Sequence, residues 1–235
     1  MHLGAIADDF TGATDLAIAL RESGLRTAVV IGDNPLSPGY DAVVVALKTR
    51  TAPVASAVRD SRAAAERLVA AGAERLYVKY CSTFDSTDQG NIGPVLDAVV
   101  GMTGVDRTIV VPSFPANGRT VREGNLFVHG TLLEHSSMRH HPLTPMTRSR
   151  LRDILAPQTD AALTEIDLDT VRAGADTLRG AIDDAPPSYL IIDAESEDDL
   201  AVIAAASRHL RVLSGGAPPS PRTSTLPGTA RSRRS

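Results

Sequence analysis

The sequence predicts an α/β fold built on an open, mostly parallel sheet with helices on both faces. Short, continuous apolar runs alternate with Ala- and Leu-rich segments of helical period, as expected where strands are buried on both faces and crossed by helices. Glycines punctuate the ends of the helical segments. Polar clusters recur just after the apolar runs, at strand ends, where open α/β sheets bind ligands. Together these observations point to a Rossmann-like, three-layer arrangement.

Leu3–Ala7, Thr27–Ile31, Ala42–Leu47, Arg75–Lys79 and Arg107–Val111 read as strands, and Thr11–Ser23, Val54–Ala71 and Asn91–Met102 as the helices between them. Gly24 and Gly72 stand where helix C-caps belong. From Val111 to Pro145 the pattern gives way to Pro, Gly, Asn, Arg and His, the mark of a long loop, and long loops are often functional. Periodicity resumes with strands at Leu163–Ile166, Tyr189–Asp193 and Leu210–Leu213 and helices at Thr170–Ile182 and Glu197–His209. The expected division is one domain over 1–213 and a disordered tail over 214–235, rich in Pro, Ser, Thr and Arg and lacking Asp and Glu beyond Gly216.

The 235 residues are 43% hydrophobic but only 3% aromatic, with no Trp, so the core must be built from Ala, Val, Leu and Ile. A net charge of −4 argues against nucleic acid as a partner, and without the four arginines of the tail the body holds 20 basic against 28 acidic residues. No apolar run approaches the roughly 20 residues of a membrane helix, and no secretory leader is recognisable. A single cysteine fits a reducing compartment. The expectation is a soluble, cytoplasmic protein with a small-molecule partner, no membrane and no nucleic acid.

Five strand-end motifs carry chemistry. Asp8 and Asp9 follow the first strand and suit a general base or a magnesium ligand; Thr11 and Gly12 then open a helix whose N-terminal amides favour anions, although Asp9 or Thr11 would equally serve as an N-cap. The Asp-x-Asp-x-Thr pattern of haloacid dehalogenase-like phosphatases fails here, because Phe10 follows Asp9. Lys48-Thr49-Arg50 places two cations after the third strand, suited to a carboxylate or phosphate. The run Lys79-Tyr80-Cys81-Ser82-Thr83-Phe84-Asp85-Ser86-Thr87, ending in Gly90-Asn91, crowds one cation, one carboxylate and four hydroxyls at a strand end, enough to hold a small anionic, polyhydroxylated molecule. Asn117-Gly118 is a turn that presents Arg119. His140 and His141 are adjacent, which is poor spacing for a shared metal, and no Cys or Glu completes a site, so no metal is expected here. Neither a Gly-x-x-x-x-Gly-Lys nor a Gly-x-Gly-x-x-Gly phosphate loop is present.

Taken together the motifs resemble the four-carbon acid sugar kinase family. Ala-Asp-Asp-Phe-Thr-Gly-Ala at 7–13, Lys-Tyr-Cys-Ser-Thr-Phe-Asp-Ser-Thr at 79–87 with Gly-Asn-Ile-Gly-Pro at 90–94, Asn-Gly-Arg-Thr at 117–120 and Met-Arg-His-His-Pro-Leu at 138–143 are similar to the 3-oxo-tetronate kinase branch. Arg148 departs from the branch, which usually has an acid there. The resemblance implies phosphorylation of the C4 hydroxyl of a four-carbon acid sugar, with the substrate held by this N-terminal half. ATP and Mg2+ would be bound by a C-terminal half that this chain does not contain, so the expectation is a truncated kinase, inactive alone. The alternative is a stand-alone acid-sugar-binding module. The residues matched to those roles are Asp8, Asp9 or Asp85 as base, and Thr11, Gly12, Arg50, Lys79, Ser82, Thr83, Ser86, Thr87, Asn91, Asn117, Arg119 and His140 on the substrate.

Overall fold

A computed structural model describes residues 1–217. Of the tail expected to be disordered over 214–235, Ser214 and Gly215 belong instead to the last strand, and the part beyond residue 217 lies outside the described residues. The chain forms β1 (Leu3–Ala7), α1 (Phe10–Glu22), β2 (Thr27–Ile31), β3 (Ala42–Ala46), α2 (Val54–Ala70), β4 (Arg75–Lys79), α3 (Ile92–Thr103), β5 (Thr108–Val111), β6 (Arg119–Arg122), β7 (Asn125–Val128), β8 (Thr131–Leu132), α4 (Leu151–Leu155), β9 (Leu163–Ile166), α5 (Leu168–Arg172), α6 (Ala175–Asp184), β10 (Tyr189–Ile192), α7 (Glu197–Ala206) and β11 (Val212–Gly215), with short 3-10 turns between some of them.

Eight strands make one sheet in the order β2-β3-β1-β4-β11-β5-β10-β9, parallel throughout. The pleat sends alternate residues to opposite faces. Ile6, Val43, Val45, Leu76, Val78, Val110 and Val212 join one core with Leu68 of α2, Leu96 and Val99 of α3 and Leu151 of α4. Ala5, Val44, Tyr77, Ile109 and Leu213 join the other with Leu16 and Leu20 of α1, Val171 of α5, Leu178 of α6 and Ile203 of α7. Helices therefore cover both faces, and the layers are the three expected.

Gly24 and Gly72 follow the C-caps of α1 and α2 with φ of 88° and 86°, a left-handed conformation that costs glycine little. The helix expected over Thr170–Ile182 is instead two helices, because Gly174 at φ 108° interrupts the backbone between α5 and α6. The last strand runs two residues past Leu213, through Ser214 and Gly215, and inserts between β4 and β5.

The largest departure lies in the segment read as a loop. Between residues 119 and 132 the chain folds into an antiparallel sheet, β6-β7-β8. Its turns are Glu123-Gly124 (φ 51° and 71°) and His129-Gly130 (φ 50° and 80°). Both central residues of each turn are left-handed, the type I′ geometry that matches the twist of paired strands. The usual signal for such a turn is Asn-Gly or Asp-Gly, and here Glu and His take the first position. The hairpin is fastened to the body by bridges Val121–Ala194 and Asn125–Arg150 and by Asp193, whose carboxylate accepts from the amides of Glu123 at 2.7 Å and Gly124 at 3.0 Å. Burial pushes the Asp193 carboxyl up, and the two amides pull the other way.

Candidate functional site

The C-terminal ends of β1, β3 and β4 lie side by side in the sheet, and the polar motifs that follow them meet there. α1 packs on one face of the sheet and α2 and α3 on the other. The strand order also turns about β1, with β2 and β3 on one side and β4 onward on the other. This is the switch point at which open α/β sheets leave a crevice.

Arg50 organises the crevice. Its Nε and Nη2 donate to the two oxygens of Asp8 at 2.9 and 2.8 Å, and Nη1 lies 3.0 Å from Asp9 Oδ2. The other oxygen of Asp9 caps α1 by accepting from the Gly12 amide at 2.8 Å, so the capping and functional readings of Asp9 hold at once. The backbone keeps these groups in register: the amides of Thr49 and Arg50 both donate to the Asp8 carbonyl, and the Asp8 amide donates to the Lys79 carbonyl. Lys79, the last residue of β4, is buried, and its Nζ donates to the Tyr80 carbonyl at 2.8 Å. A Cβ on Gly12 would stand 2.7 Å from Asp9 Oδ1 and 3.2 Å from Lys79 Nζ, so a side chain there would have to displace the capping carboxylate.

The carboxylates of Asp8 and Asp9 thus share a partly buried crevice with the cations of Arg50 and Lys79. Burial raises the Asp8 carboxyl above its ordinary value, opposed by the bonds from Arg50. Burial lowers the Lys79 ammonium, opposed by Asp8. Burial alone would lower Arg50 too, but the hydrogen bonds and charge of Asp8 outweigh it, and the guanidinium is held above its ordinary value.

The 79–91 run divides after Lys79. Tyr80 and Phe84 are buried edge to face, with ring centroids 5.3 Å apart. Phe84 takes φ 52°, an uncommon conformation for a side chain of that size. Around this kink Cys81 Sγ lies 2.9 Å from Thr83 Oγ1, and Thr83 donates to Asp85 at 2.5 Å. Asp85 lines the same small cavity as Asp8, Arg50, Lys79 and Asn91. Ser82 is half-buried beside this chain. Ser86 points into the protein, donating to Gln158 Oε1 at 3.1 Å. Gln158 also accepts from the Gly93 amide and was not legible as a site residue: an isolated Gln carries no pattern. Thr87 is exposed on a separate groove with Gln89, Met146 and Thr147, across which Arg148 pairs with Asp88 at 2.7 and 3.1 Å.

The remaining expected residues stand apart from the Arg50 cluster. Thr11 is exposed on the first turn of α1. Asn117 ends a 3-10 turn just before β6, and Arg119, the first residue of β6, donates to the Asn117 carbonyl and lies 3.4 Å from His129 Nε2. His140 is exposed in a 3-10 turn. Among the described residues, no group of three or more His, Cys, Asp or Glu is placed to hold a metal ion, and no helix is long and apolar enough to cross a membrane.

Comparison with known proteins shows the family and the fold. The sequence model of the family described as sugar-binding N-terminal domain matches residues 3–220, and the chain belongs to that family. Proteins named 3-oxo-tetronate kinase are similar to it: that of Burkholderia multivorans is 48% identical over 219 residues, covering 91% of this chain and 51% of the relative. That of Escherichia coli is 40% identical, covering 92% and 57%. The chain spans about half the length of the curated relatives it matches. Among solved structures, a Haemophilus influenzae protein superposes with a TM-score of 0.87 at 38% identity, over 91% of this chain and 53% of its own. A Bordetella bronchiseptica domain of unknown function, solved as a domain-swapped dimer with bound citrate, superposes at 0.80 with 29% identity, over 95% and 55%.

Proposed function

We propose that this chain is the substrate-holding half of an ATP-dependent kinase that phosphorylates the C4 hydroxyl of a four-carbon acid sugar, 3-oxo-tetronate. The observation that carries the reading is the locked Asp8–Arg50–Asp9 constellation beside the buried Lys79 at the switch point of the sheet. A small sugar acid needs acceptors for its hydroxyls and donors for its carboxylate and carbonyl, and the cluster offers both on rigid strand ends. The names of the relatives support the choice of substrate, and the citrate held by the Bordetella bronchiseptica structure supports a small carboxylate ligand.

In this reading Lys79 uses one donor on Tyr80 and turns its remaining N–H groups to the substrate's carboxylate or carbonyl. Asp8 is the base. Its carboxyl is raised by burial, the direction that proton abstraction near neutrality requires. Arg50 orients it through two parallel bonds, and Asp9 ties the pair to the start of α1. Thr83 and Asp85 complete the polar wall. ATP supplies the phosphoryl group and magnesium its charge compensation. Both carboxylates of the cluster are engaged by Arg50 and so are not free to ligate magnesium, and the sequence carries neither glycine-rich phosphate-loop pattern, so we place both groups on a second half like that which the longer relatives possess.

Calorimetry of the 235-residue polypeptide with 3-oxo-tetronate should show binding that Lys79→Ala abolishes, with no ADP formed when ATP and magnesium are added. Equal heats for the two proteins would remove the cluster from the substrate site. Binding without turnover in every longer version of the protein would instead favour a binding module.

A further inference from the structure

Asn91 occupies the N-cap position of α3, where an Asn side chain ordinarily accepts from the first free amides of its own helix. It makes no such bond. Its Nδ2 instead reaches back some forty residues and donates to the carbonyls of Thr49 at 2.6 Å, Ala52 at 2.9 Å and Arg50 at 3.3 Å. The amide cannot be turned over, because that would set Oδ1 against three carbonyl oxygens. Oδ1 itself is buried without a protein partner, as is the Ser61 hydroxyl that lines the same cavity. The amide nitrogen is thus fully committed within the protein and leaves no donor for a ligand.

We propose that Asn91 is a positioning residue that acts through Arg50. The loop after β3 is gripped from both sides: its amides at Thr49 and Arg50 are held by the Asp8 carbonyl, and its carbonyls at Thr49, Arg50 and Ala52 by Asn91. Fixing that backbone at three carbonyls between residues 49 and 52 fixes the point from which the guanidinium leaves. A guanidinium that must meet Asp8 with two bonds and Asp9 with a third tolerates little freedom at its root. The 79–91 run and the 48–50 motif, separate in sequence, therefore act as one unit. Asn91 joins α3 to the loop, and Arg50 joins the loop to β1. The consequence for a ligand rests on the acid-sugar reading above; the geometry of Arg50 does not.

The test reads Arg50 directly and needs no ligand. In the 235-residue protein the Nε–H of Arg50, buried in its bond to Asp8, should give a distinct and slowly exchanging proton–nitrogen resonance. In Asn91→Ala, and in the size-matched Asn91→Asp, that resonance should move towards the exposed arginines and exchange about 10-fold faster or more, as expected for the loss of a hydrogen bond or two. An unchanged Arg50 resonance in either folded variant would overturn the proposal, since a merely stabilising Asn91 would lower the melting temperature and leave Arg50 where it is. Should both variants fail to fold, the unmodified protein decides: its Asn91 side-chain amide should exchange roughly 10-fold more slowly than that of the exposed Gln89. Exchange at the rate of Gln89 would refute the three-carbonyl grip. Failure to bind an acid sugar with Arg50 still anchored by Asn91 would count against the functional reading alone.

Discussion

Replacing Arg50 by methionine should destabilise the protein and make its stability depend on pH in an unusual direction. The side chain fills space that methionine largely restores, so the loss is electrostatic. Arg50, Asp8 and Asp9 have side chains only 22%, 19% and 29% exposed. Breaking a fully buried pair costs about 3–5 kcal/mol and an exposed one about 0–1, so this intermediate site should cost about 2 kcal/mol. For a chain of this size that is a fall of roughly 4–8 °C in melting temperature at pH 7. Asp8, already raised by burial, then loses the bonds that opposed the rise. Its folded-state pKa moves further above the ordinary value of 3.8. Between those two values the folded protein binds more protons than the unfolded one, so stability grows as pH falls through that window. Differential scanning calorimetry of wild type and variant at pH 7 and 4 should therefore show the deficit shrinking on acidification. A deficit below about 1 °C at pH 7 would show that solvent screens the cluster, and an equal deficit at both pH values would show that Asp8 is not the group left unpaired.

Asp9→Asn keeps an oxygen to cap α1 and should cost less than about 1 kcal/mol. In a full-length kinase carrying this half, Asp8→Asn should lower turnover roughly 10²–10⁴-fold while Asp9→Asn lowers it less; full turnover in both would transfer the base role to Asp85. Asp193→Ala orphans the amides of Glu123 and Gly124 and should cost about 2 kcal/mol in urea unfolding, with faster exchange confined to the β6–β7 hairpin; an unmoved midpoint would show that strand pairing alone holds the hairpin. A chain ending at Arg208 lacks β11 and should show no cooperative thermal transition by circular dichroism. A native-like transition would mean that β4 and β5 close on each other without it.

The parallel sheet was legible because most of its strands are short, mainly apolar runs, and the central ones are buried on both faces. Its C-terminal edge was legible because charged residues recur after such runs, and Asp8, Arg50 and Lys79 do converge. Three things were not. The antiparallel hairpin hides in strands of two to four residues joined by Glu-Gly and His-Gly, too short for periodicity and with unusual residues in a left-handed turn. The direction in which a polar side chain faces is invisible at the level of motif: Ser86 turns inward to Gln158, and Asn91 spends its amide on backbone forty residues away. The position of β11 depends on long-range pairing that no local pattern records.

That last strand ties the site to the completion of the fold. β11 is the final strand of the described chain, yet it lies in the middle of the sheet, so the strands on either side of it are hydrogen-bonded into one sheet through Val212–Gly215. The same four residues reach into the wall of the crevice. The Tyr80 amide donates to the Gly215 carbonyl, and the Tyr80 hydroxyl donates to Ser214, whose own hydroxyl is committed to the Ile109 carbonyl. Gly216 then passes so close that a Cβ there would lie 2.3 Å from the Pro112 carbonyl oxygen and 2.7 Å from Ser82 Cα, positions a side chain cannot share. Residues 80–82 are therefore backed on one side by β11 and the glycine that follows it. Lys79 precedes that stretch and Asp85 follows it, so in the proposed acid-sugar reading the crevice is completed in the same step as the closing of the sheet. A variant that loosens β11 should lose ligand binding together with stability, whereas one that breaks only the Arg50 cluster should lose binding while the sheet still unfolds as a single unit.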